Sequence, residues 1–291
     1  MWDGAETVAA VNLTGRKNMR LGLSSPLSHN SPEQWAKRLK ELGCGCVNFP
    51  LNCNADKNVI KEYADAAKEH DLVIAEVGIW NNMLDADPEA RKRAIDYNVR
   101  QLIMADEIGA VCAVNVAGTP HGPRWDGGYK ENFSVETFDM IVETVKYILN
   151  QAKPKRAHFS IESMPWMVPS SPKEYLRLIE RVNHAKFSAH LDIVNMITSP
   201  RRYFFNDEFI KECFTLLNGR ICSCHLKDIR LKEEFTFRLK ECAPGEGIFD
   251  LELFARLAEL ENPEMPIIIE HLNTDEEYIK SLKYVQNRLG L

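Results

Sequence analysis

Apolar residues follow two alternating patterns along the chain. Short runs rich in β-branched and aromatic residues are typical of strands, and longer stretches with apolar residues every three or four positions are typical of amphipathic helices. The short runs predict eight strands, at residues 20–24, 45–50, 72–79, 110–118, 157–163, 186–192, 220–228 and 266–271. The longer stretches predict eight helices, at residues 31–43, 58–70, 87–109, 133–152, 171–183, 207–219, 250–261 and 274–290.

The strict alternation of these segments predicts the fold class. Ser-Pro pairs at 31–32 and 171–172 are typical of helix N-termini, and Gly109 is typical of a helix C-terminus. Eight strand–helix units favour an α/β fold with a single (β/α)8 TIM barrel over residues 20–291. A doubly wound sheet is the alternative, although it rarely needs eight units. Residues 1–19 are predicted to form an N-terminal arm.

Composition and charge argue against several classes of protein. The net charge is −6 over 291 residues, without a clustered run of Lys and Arg, which argues against a nucleic-acid partner. The chain lacks the run of ~20 apolar residues that a membrane span requires. Residues 1–18 lack the basic start and apolar core of a signal peptide. Eight cysteines without a Cys-x-x-Cys pair predict reduced thiols and a cytoplasmic location.

Ionisable residues end the last four predicted strands. Glu162 ends the fifth, Asp192 the sixth, His225 the seventh and Glu270 the eighth. The carboxyl ends of barrel strands meet at one face of the fold, where the active site lies. Three carboxylates brought together there repel one another unless a cation is bound. These four residues are therefore predicted to bind a divalent metal. Their donor set favours Mn²⁺, with Mg²⁺, Co²⁺ or Zn²⁺ as alternatives.

Cys222 and Cys224 raise a second interpretation, a structural zinc cluster next to His225. Side chains alternate along a strand, so a His225 that faces the barrel axis places Ser223 and Ile221 on the same side. The two cysteines are then predicted to face the helices as buried thiols. A zinc cluster would need further Cys or His ligands at suitable spacing, and none is apparent.

The four predicted ligands lie in the short motifs SIESMP, HLDIVN, CHLKDIR and IIIEHL, and PGEGIFD (244–250) precedes the last strand. In this order, the motifs resemble the xylose isomerase-like superfamily, which includes ketose 3-epimerases, inosose isomerases and dehydratases, and endonuclease IV. The resemblance covers residues 20–290. It implies the same four metal ligands, and it implies that Glu162 and Glu270 also form a base–acid pair on opposite sides of a sugar. The acidic charge and the absence of extra histidines argue against DNA repair.

Six further residues are candidates for substrate binding: His121, Trp125, Glu76, Glu246, Arg230 and Asn195. Asn195 stands three residues after Asp192, where ketose 3-epimerases carry a substrate-binding His. Arg230 follows His225 by five residues, as in inosose-dehydratase-like relatives, and would hold a substrate oxygen or carboxylate.

The other candidates are loop or strand-end residues. His121 and Trp125 lie in a Gly-rich segment that would act as a lid, with the indole stacking on a sugar. Glu76 lies near the end of the third strand, and Glu246 lies in the PGEG turn. For each of them an ordinary structural role is the alternative. Lys227 and Asp228 share the loop of Arg230 and are interpreted as pairing with each other.

The chemistry of this site predicts a metal-dependent isomerase or epimerase of a small sugar or keto-polyol. A carboxylate would remove the proton next to a carbonyl and form an enediolate that the metal stabilises. A dehydratase or lyase acting on a keto-inositol or a 3-keto-glycoside, including C-glycoside cleavage, is the alternative within enzymes. A non-catalytic sugar-binding or partner subunit is the alternative outside them. A homo-oligomer or a complex with a partner subunit also stays open.

Overall fold

The structure is a computed structural model that describes residues 19–291. Eight parallel strands form its barrel. The strands are β1 (Arg20–Leu23), β2 (Cys46–Asn48), β3 (Val73–Gly78), β4 (Cys112–Asn115), β5 (His158–Ile161), β6 (Ala189–Leu191), β7 (Ile221–Leu226) and β10 (Pro266–Ile269). Their order is β5-β4-β3-β2-β1-β10-β7-β6. Isolated bridges between β5 and the region of β6 nearly close the ring. The predicted TIM barrel is therefore confirmed. The predicted arm lies outside the described residues, apart from Met19.

Helices follow the strands as predicted, and they cover the outside of the barrel. They are α1 (Pro32–Glu41), α2 (Lys57–Glu69), α3 (Pro88–Ile108), α4 (Val135–Ala152), α5 (Pro172–Val182), α6 (Pro200–Phe204), α7 (Asn206–Leu216), α8 (Leu251–Glu261) and α9 (Asp275–Leu289). The short α6 was not predicted. Ser31 and Ser171 cap α1 and α5 by accepting hydrogen bonds from backbone N–H groups. Within residues 19–291, every helix falls short of the length and apolar character needed to cross a bilayer.

The apolar core lies between the strands and the helices. Trp35 and Leu39 of α1, Ile141 of α4 and Leu282 of α9 are at most 1% exposed. Burial of such side chains contributes roughly 1.5–3 kcal/mol each relative to exposure. This packing fixes the strands, and the strands in turn fix the positions of the residues at their carboxyl ends.

A β-hairpin that the sequence pattern did not predict follows β7. Its strands are β8 (Asp228–Lys232) and β9 (Arg238–Cys242), paired antiparallel with Asp228 opposite Cys242. The segment is largely polar, so it lacks the alternation that marks a strand with one buried face. The hairpin begins two residues after β7 ends, which places it beside the carboxyl face of the barrel.

An irregularity in the pairing of β6 with β7 overturns one prediction about the cysteines. The register shifts so that Ala189 pairs with Ile221 while the next residue, His190, pairs with Ser223, which leaves Cys222 as an extra residue. The Cys222 thiol lies 3.4 Å from Ser160 Oγ on β5, so it faces the barrel interior rather than the helices. Cys224 is fully buried within the apolar core, as predicted. All eight cysteines are free thiols.

Candidate metal centre

Glu162, Asp192, His225 and Glu270 lie together at the carboxyl face of the barrel. Glu162, Asp192 and Glu270 directly follow β5, β6 and β10, and His225 is the penultimate residue of β7. One donor atom from each residue lies within 4.8 Å of the donors of the other three. Each residue is at most 5% exposed. The structure thus brings together the four predicted ligands in a buried cluster. Metal binding itself stays a prediction.

The imidazole of His225 lies between carboxylates on both of its sides. Its Nδ1 is 2.9 Å from Glu270 Oε2 and 3.1 Å from Glu162 Oε1. Its Nε2 is 3.1 Å from Glu76 Oε2. Burial lowers the pKa of His225, but Glu270, Glu76 and Glu162 together raise it well above its usual range. Without an ion, both ring nitrogens therefore donate hydrogen bonds. Ligation of a metal through Nδ1 would displace a proton.

Glu76 lies deeper than its predicted role in substrate binding requires. It occupies the middle of β3 rather than the strand end, and it is 1% exposed. Its carboxylate accepts a hydrogen bond from the nitrogen of His225 that faces away from the cluster. Carboxylates in this position fix the tautomer and the ring orientation of a ligating histidine. The geometry favours such a positioning role for Glu76.

His190 lies beside this pair. Its ring centroid is 4.1 Å from that of His225, and its Nδ1 is 2.6 Å from Ser223 Oγ. Its Nε2 is 3.6 Å from Glu76 Oε2, which is too far for a good hydrogen bond. Burial holds the pKa of His190 well below its usual range, so the ring is neutral. Glu76, His190 and His225 form a second group of converging donors, but it has three members and shares His225 with the first.

The two glutamates of the cluster differ electrostatically. Burial and the charge of Glu270 raise the pKa of Glu162 to about 7. Burial also acts to raise the pKa of Glu270, but His225 and Lys227 hold it well below its usual range. Near neutral pH and without an ion, Glu162 is therefore divided between its protonated and ionised forms, whereas Glu270 is ionised.

Lys227 is part of the cluster, a role that the sequence pattern did not predict. Its Nζ lies 2.8 Å from Asp192 Oδ2, 2.7 Å from Glu270 Oε1 and 3.3 Å from Glu241 Oε2. Burial acts to lower the pKa of Lys227, but Asp192 and Glu270 raise it well above its usual range. The predicted pairing with Asp228 is wrong. A signal was present, because Lys227 follows His225 by two residues and side chains two apart share one face of a strand.

Asp228 instead anchors the PGEG segment. Its carboxylate accepts hydrogen bonds from the backbone N–H groups of Gly245, Gly247 and Phe249 at 2.8–3.0 Å. A side chain at Gly247 would not fit, because a Cβ there would lie 2.2 Å from the Ile229 carbonyl oxygen. Glu246 is exposed on this turn. Its predicted contact with substrate stays a prediction.

Asp192 supports the fit of the cluster to a cation. Its Oδ1 accepts a hydrogen bond of 2.9 Å from the Asn195 backbone N–H. Its Oδ2 is buried and accepts no hydrogen bond of good geometry from the described residues. Lys227 Nζ lies 2.8 Å from Oδ2, but its direction does not suit a hydrogen bond. The two groups therefore form a charge pair. A buried carboxylate oxygen with spare acceptor capacity, in a cluster with two further carboxylates and an imidazole, suits a hard divalent ion.

The remaining substrate-binding candidates lie at different distances from the cluster. Asn195 belongs to it, since its Nδ2 lies 3.3 Å from Glu162 Oε1. His121 Nε2 lies 3.5 Å from Thr137 Oγ1 at the start of α4, and Trp125 is exposed on the same loop. Arg230 is exposed on β8. Substrate binding by these four residues stays a prediction.

We expect that Glu76→Gln weakens divalent-metal binding by roughly 10–100-fold, because the amide accepts a weaker hydrogen bond from His225 and no longer fixes its tautomer. Titration of the metal-free protein with Mn²⁺ in a calorimeter measures this directly. Glu180→Gln is the matched control, because Glu180 is an exposed glutamate near the C-terminal end of α5. Equal affinities in the parent and Glu76→Gln proteins would contradict the positioning role.

The protein is a (β/α)8 barrel in which three carboxylates and one histidine, residue types that can bind a cation, converge at the strand ends. The chain belongs to the xylose isomerase-like TIM barrel family, whose model matches residues 36–288. The predicted superfamily is therefore confirmed. A search among curated proteins finds no significant match.

Solved structures of the same fold include proteins with different activities. A 3-keto-D-glucoside 4-epimerase from E. coli is 15% identical over 92% of this chain and 99% of its own, with a TM-score of 0.67. A probable 3-DHS dehydratase from Bacillus anthracis is 14% identical over 94% and 99%, with a TM-score of 0.70. A xylose isomerase-like protein from Mycobacterium smegmatis in complex with magnesium is 16% identical over 94% and 96%, with a TM-score of 0.66. At these identities the likeness shows the fold alone.

Proposed function

We propose that this protein is a divalent-metal-dependent isomerase or epimerase of a small sugar or keto-polyol. The observation that carries the proposal is the convergence of Glu162, Asp192, His225 and Glu270 within 4.8 Å. The family membership and the epimerase among the similar structures support it. The donor set fits Mn²⁺, and the magnesium in the Mycobacterium smegmatis relative makes Mg²⁺ the first alternative.

The four ligand residues would hold the ion. When bound, it would supply Lewis-acid chemistry, which makes the hydrogen next to a carbonyl easier to remove. Two glutamates are available to move that proton. Glu162 and Glu270 would serve as the base and the acid on opposite faces of the substrate. Asn195 Nδ2 donates to Glu162 Oε1 and orients its carboxyl group.

Three tryptophans on successive loops support a sugar as the substrate. Trp80, Trp125 and Trp166 follow β3, β4 and β5, and they are 42%, 37% and 41% exposed. All three lie on loops at the carboxyl face. Trp166 Nε1 donates to the Asp126 carbonyl oxygen at 2.7 Å, which ties the loop of Trp125 to the next one. Half-exposed indoles give flat apolar faces on which the C–H side of a sugar ring can pack.

A dehydratase or lyase is the second candidate, because the same pair of glutamates suits it. One glutamate would remove the proton next to the carbonyl, and the other would give a proton to a departing hydroxyl or glycosyl group. The B. anthracis dehydratase shares the fold. Return of the proton to carbon gives epimerisation or isomerisation, and loss of a β-substituent gives elimination.

Proton NMR in D₂O separates these outcomes. The protein is loaded with Mg²⁺, which is diamagnetic, and is mixed with ketoses, keto-inositols and 3-keto-glucosides. We expect loss of one substrate C–H signal together with the appearance of an epimer or isomer. An unsaturated product would select the lyase. Tight sugar binding with neither exchange nor product, in protein shown to hold the ion, would contradict both enzymes and favour a binding protein.

A further inference from the structure

Lys227 places its ammonium group within the ligand cluster. It is 1% exposed, and its ammonium contacts one oxygen of Asp192 and one of Glu270, both of which are proposed metal ligands. The Asp192 oxygen that it contacts accepts no hydrogen bond of good geometry from the described residues, whereas the other oxygen accepts one from the Asn195 backbone N–H. The lysine and a divalent ion would therefore compete for the negative charge of the same two carboxylates.

The carboxylates of the cluster and the ammonium of Lys227 stabilise each other. Glu162, Asp192 and Glu270 repel one another in a buried site without a cation. A buried ammonium is equally costly without a carboxylate partner. Lys227 meets both requirements, because its Nζ lies 2.8 Å from Asp192 Oδ2 and 2.7 Å from Glu270 Oε1.

Lys227 also contacts a carboxylate that is not one of the proposed metal ligands. Glu241 on β9 lies 3.3 Å from Lys227 Nζ, is 46% exposed, and is also 3.0 Å from His271 Nδ1. It leaves Lys227 with a counter-charge that no metal ligand has to supply. The hairpin that carries Glu241 is therefore connected to the cluster through this lysine.

We propose that Lys227 is a built-in counter-ion of the metal ligands, which holds Asp192 and Glu270 in place in the ion-free protein and lowers the affinity of the site for a divalent ion. Glu241 offsets part of this effect by sharing the ammonium. The inference rests on the metal centre of the proposed function, but it concerns binding and not turnover.

Lys227→Met tests the proposal, because methionine keeps the length of the side chain and removes the charge. The parent and variant proteins are stripped with chelator and titrated with Mn²⁺ in a calorimeter. We expect the variant to bind Mn²⁺ tighter by roughly 10-fold or more, since a cation a few ångströms from a divalent ion repels it. We also expect a lower Tm without metal and a larger rise in Tm on adding Mn²⁺ than in the parent. Lys227→Arg keeps the charge and should not bind Mn²⁺ more tightly than the parent.

Equal or weaker Mn²⁺ binding by Lys227→Met would overturn the proposal, and weaker binding would make Lys227 an orienting residue for the ligands.

Glu241→Gln is a second variant in case Lys227→Met fails to fold, because Glu241 is partly exposed on the hairpin. It should weaken Mn²⁺ binding by roughly 3-fold or more, since Lys227 then depends on Asp192 and Glu270 alone. Unchanged affinity in Glu241→Gln would also count against the proposal. If the parent binds no divalent ion, the metal centre of the proposed function fails. If the parent binds Mn²⁺ and the variants do not differ from it, only the role of Lys227 fails.

Discussion

Chelation of divalent ions is expected to reduce turnover to background, and Mn²⁺ is expected to restore it. The physical reason is that Glu162, Asp192 and Glu270 are buried together and supply no strong electrophile of their own. Without an ion, the proton next to a carbonyl keeps its high pKa, and neither glutamate can remove it at a useful rate. The measurement is the rate of substrate C–H exchange in chelator-treated protein before and after the addition of metal.

Thermal unfolding supplies the control for this experiment. An ion that binds the folded state but not the unfolded state raises Tm by mass action, so the stripped protein should melt at a lower temperature and recover with Mn²⁺. Asp192→Asn should reduce the recovery, because it removes a ligand charge. Full turnover in protein that is shown to be metal-free would refute the assignment of the site.

Glu162→Gln and Glu270→Gln are each expected to lower turnover by ~10²–10⁴-fold, the range typical of a lost general acid or base. Glutamine keeps an oxygen donor and the shape of the side chain but cannot carry the proton. Each variant should therefore retain appreciable metal and substrate binding. Initial rates with both members of an epimer pair, together with Mn²⁺ titration, measure the two properties separately.

The two variants should also differ from each other. If the proton leaves one face of the substrate and returns to the other, each variant should exchange the C–H of one epimer with solvent without forming the second epimer. Glu180→Gln, an exposed glutamate on α5, is the matched control and should behave as the parent does. A near-parental rate in either active-site variant with metal bound would reduce that glutamate to a ligand and end the two-base mechanism.

Strand-end residues could be predicted from the sequence because two regular patterns locate them. Apolar runs define each strand, and the ionisable residue that closes each run must lie at the carboxyl face once the barrel is recognised. Glu162, Asp192, His225 and Glu270 follow this rule. The same period of two residues places Lys227 beside His225, but a neighbouring carboxylate, Asp228, offered a simpler local partner. Only the three-dimensional contacts show that backbone N–H groups already satisfy Asp228.

Depth and irregular pairing could not be predicted in this way. Glu76 was placed near a strand end, yet it lies mid-strand, because an apolar run does not show where hydrogen bonding to its neighbours stops. The inward direction of Cys222 depends on one extra residue in the pairing of β6 with β7. Such a bulge reverses the expected direction of a side chain and leaves little trace in composition. The β8–β9 hairpin could not be predicted because its strands bury no regular apolar face.

The ligand cluster lies across the seam between β5 and β6, where the barrel is incompletely closed. These strands meet through isolated bridges rather than a continuous ladder, and one bridge joins Glu162 with His190. Glu162 and Asp192 stand on opposite sides of the seam, where Ser163 Oγ also donates to the Asp192 carbonyl oxygen at 2.8 Å. An ion bound by both carboxylates would link the two strands at a point where their backbone hydrogen bonding is incomplete. Metal binding would therefore stabilise the closed barrel, and the rate at which the ion dissociates would limit how often β5 and β6 separate.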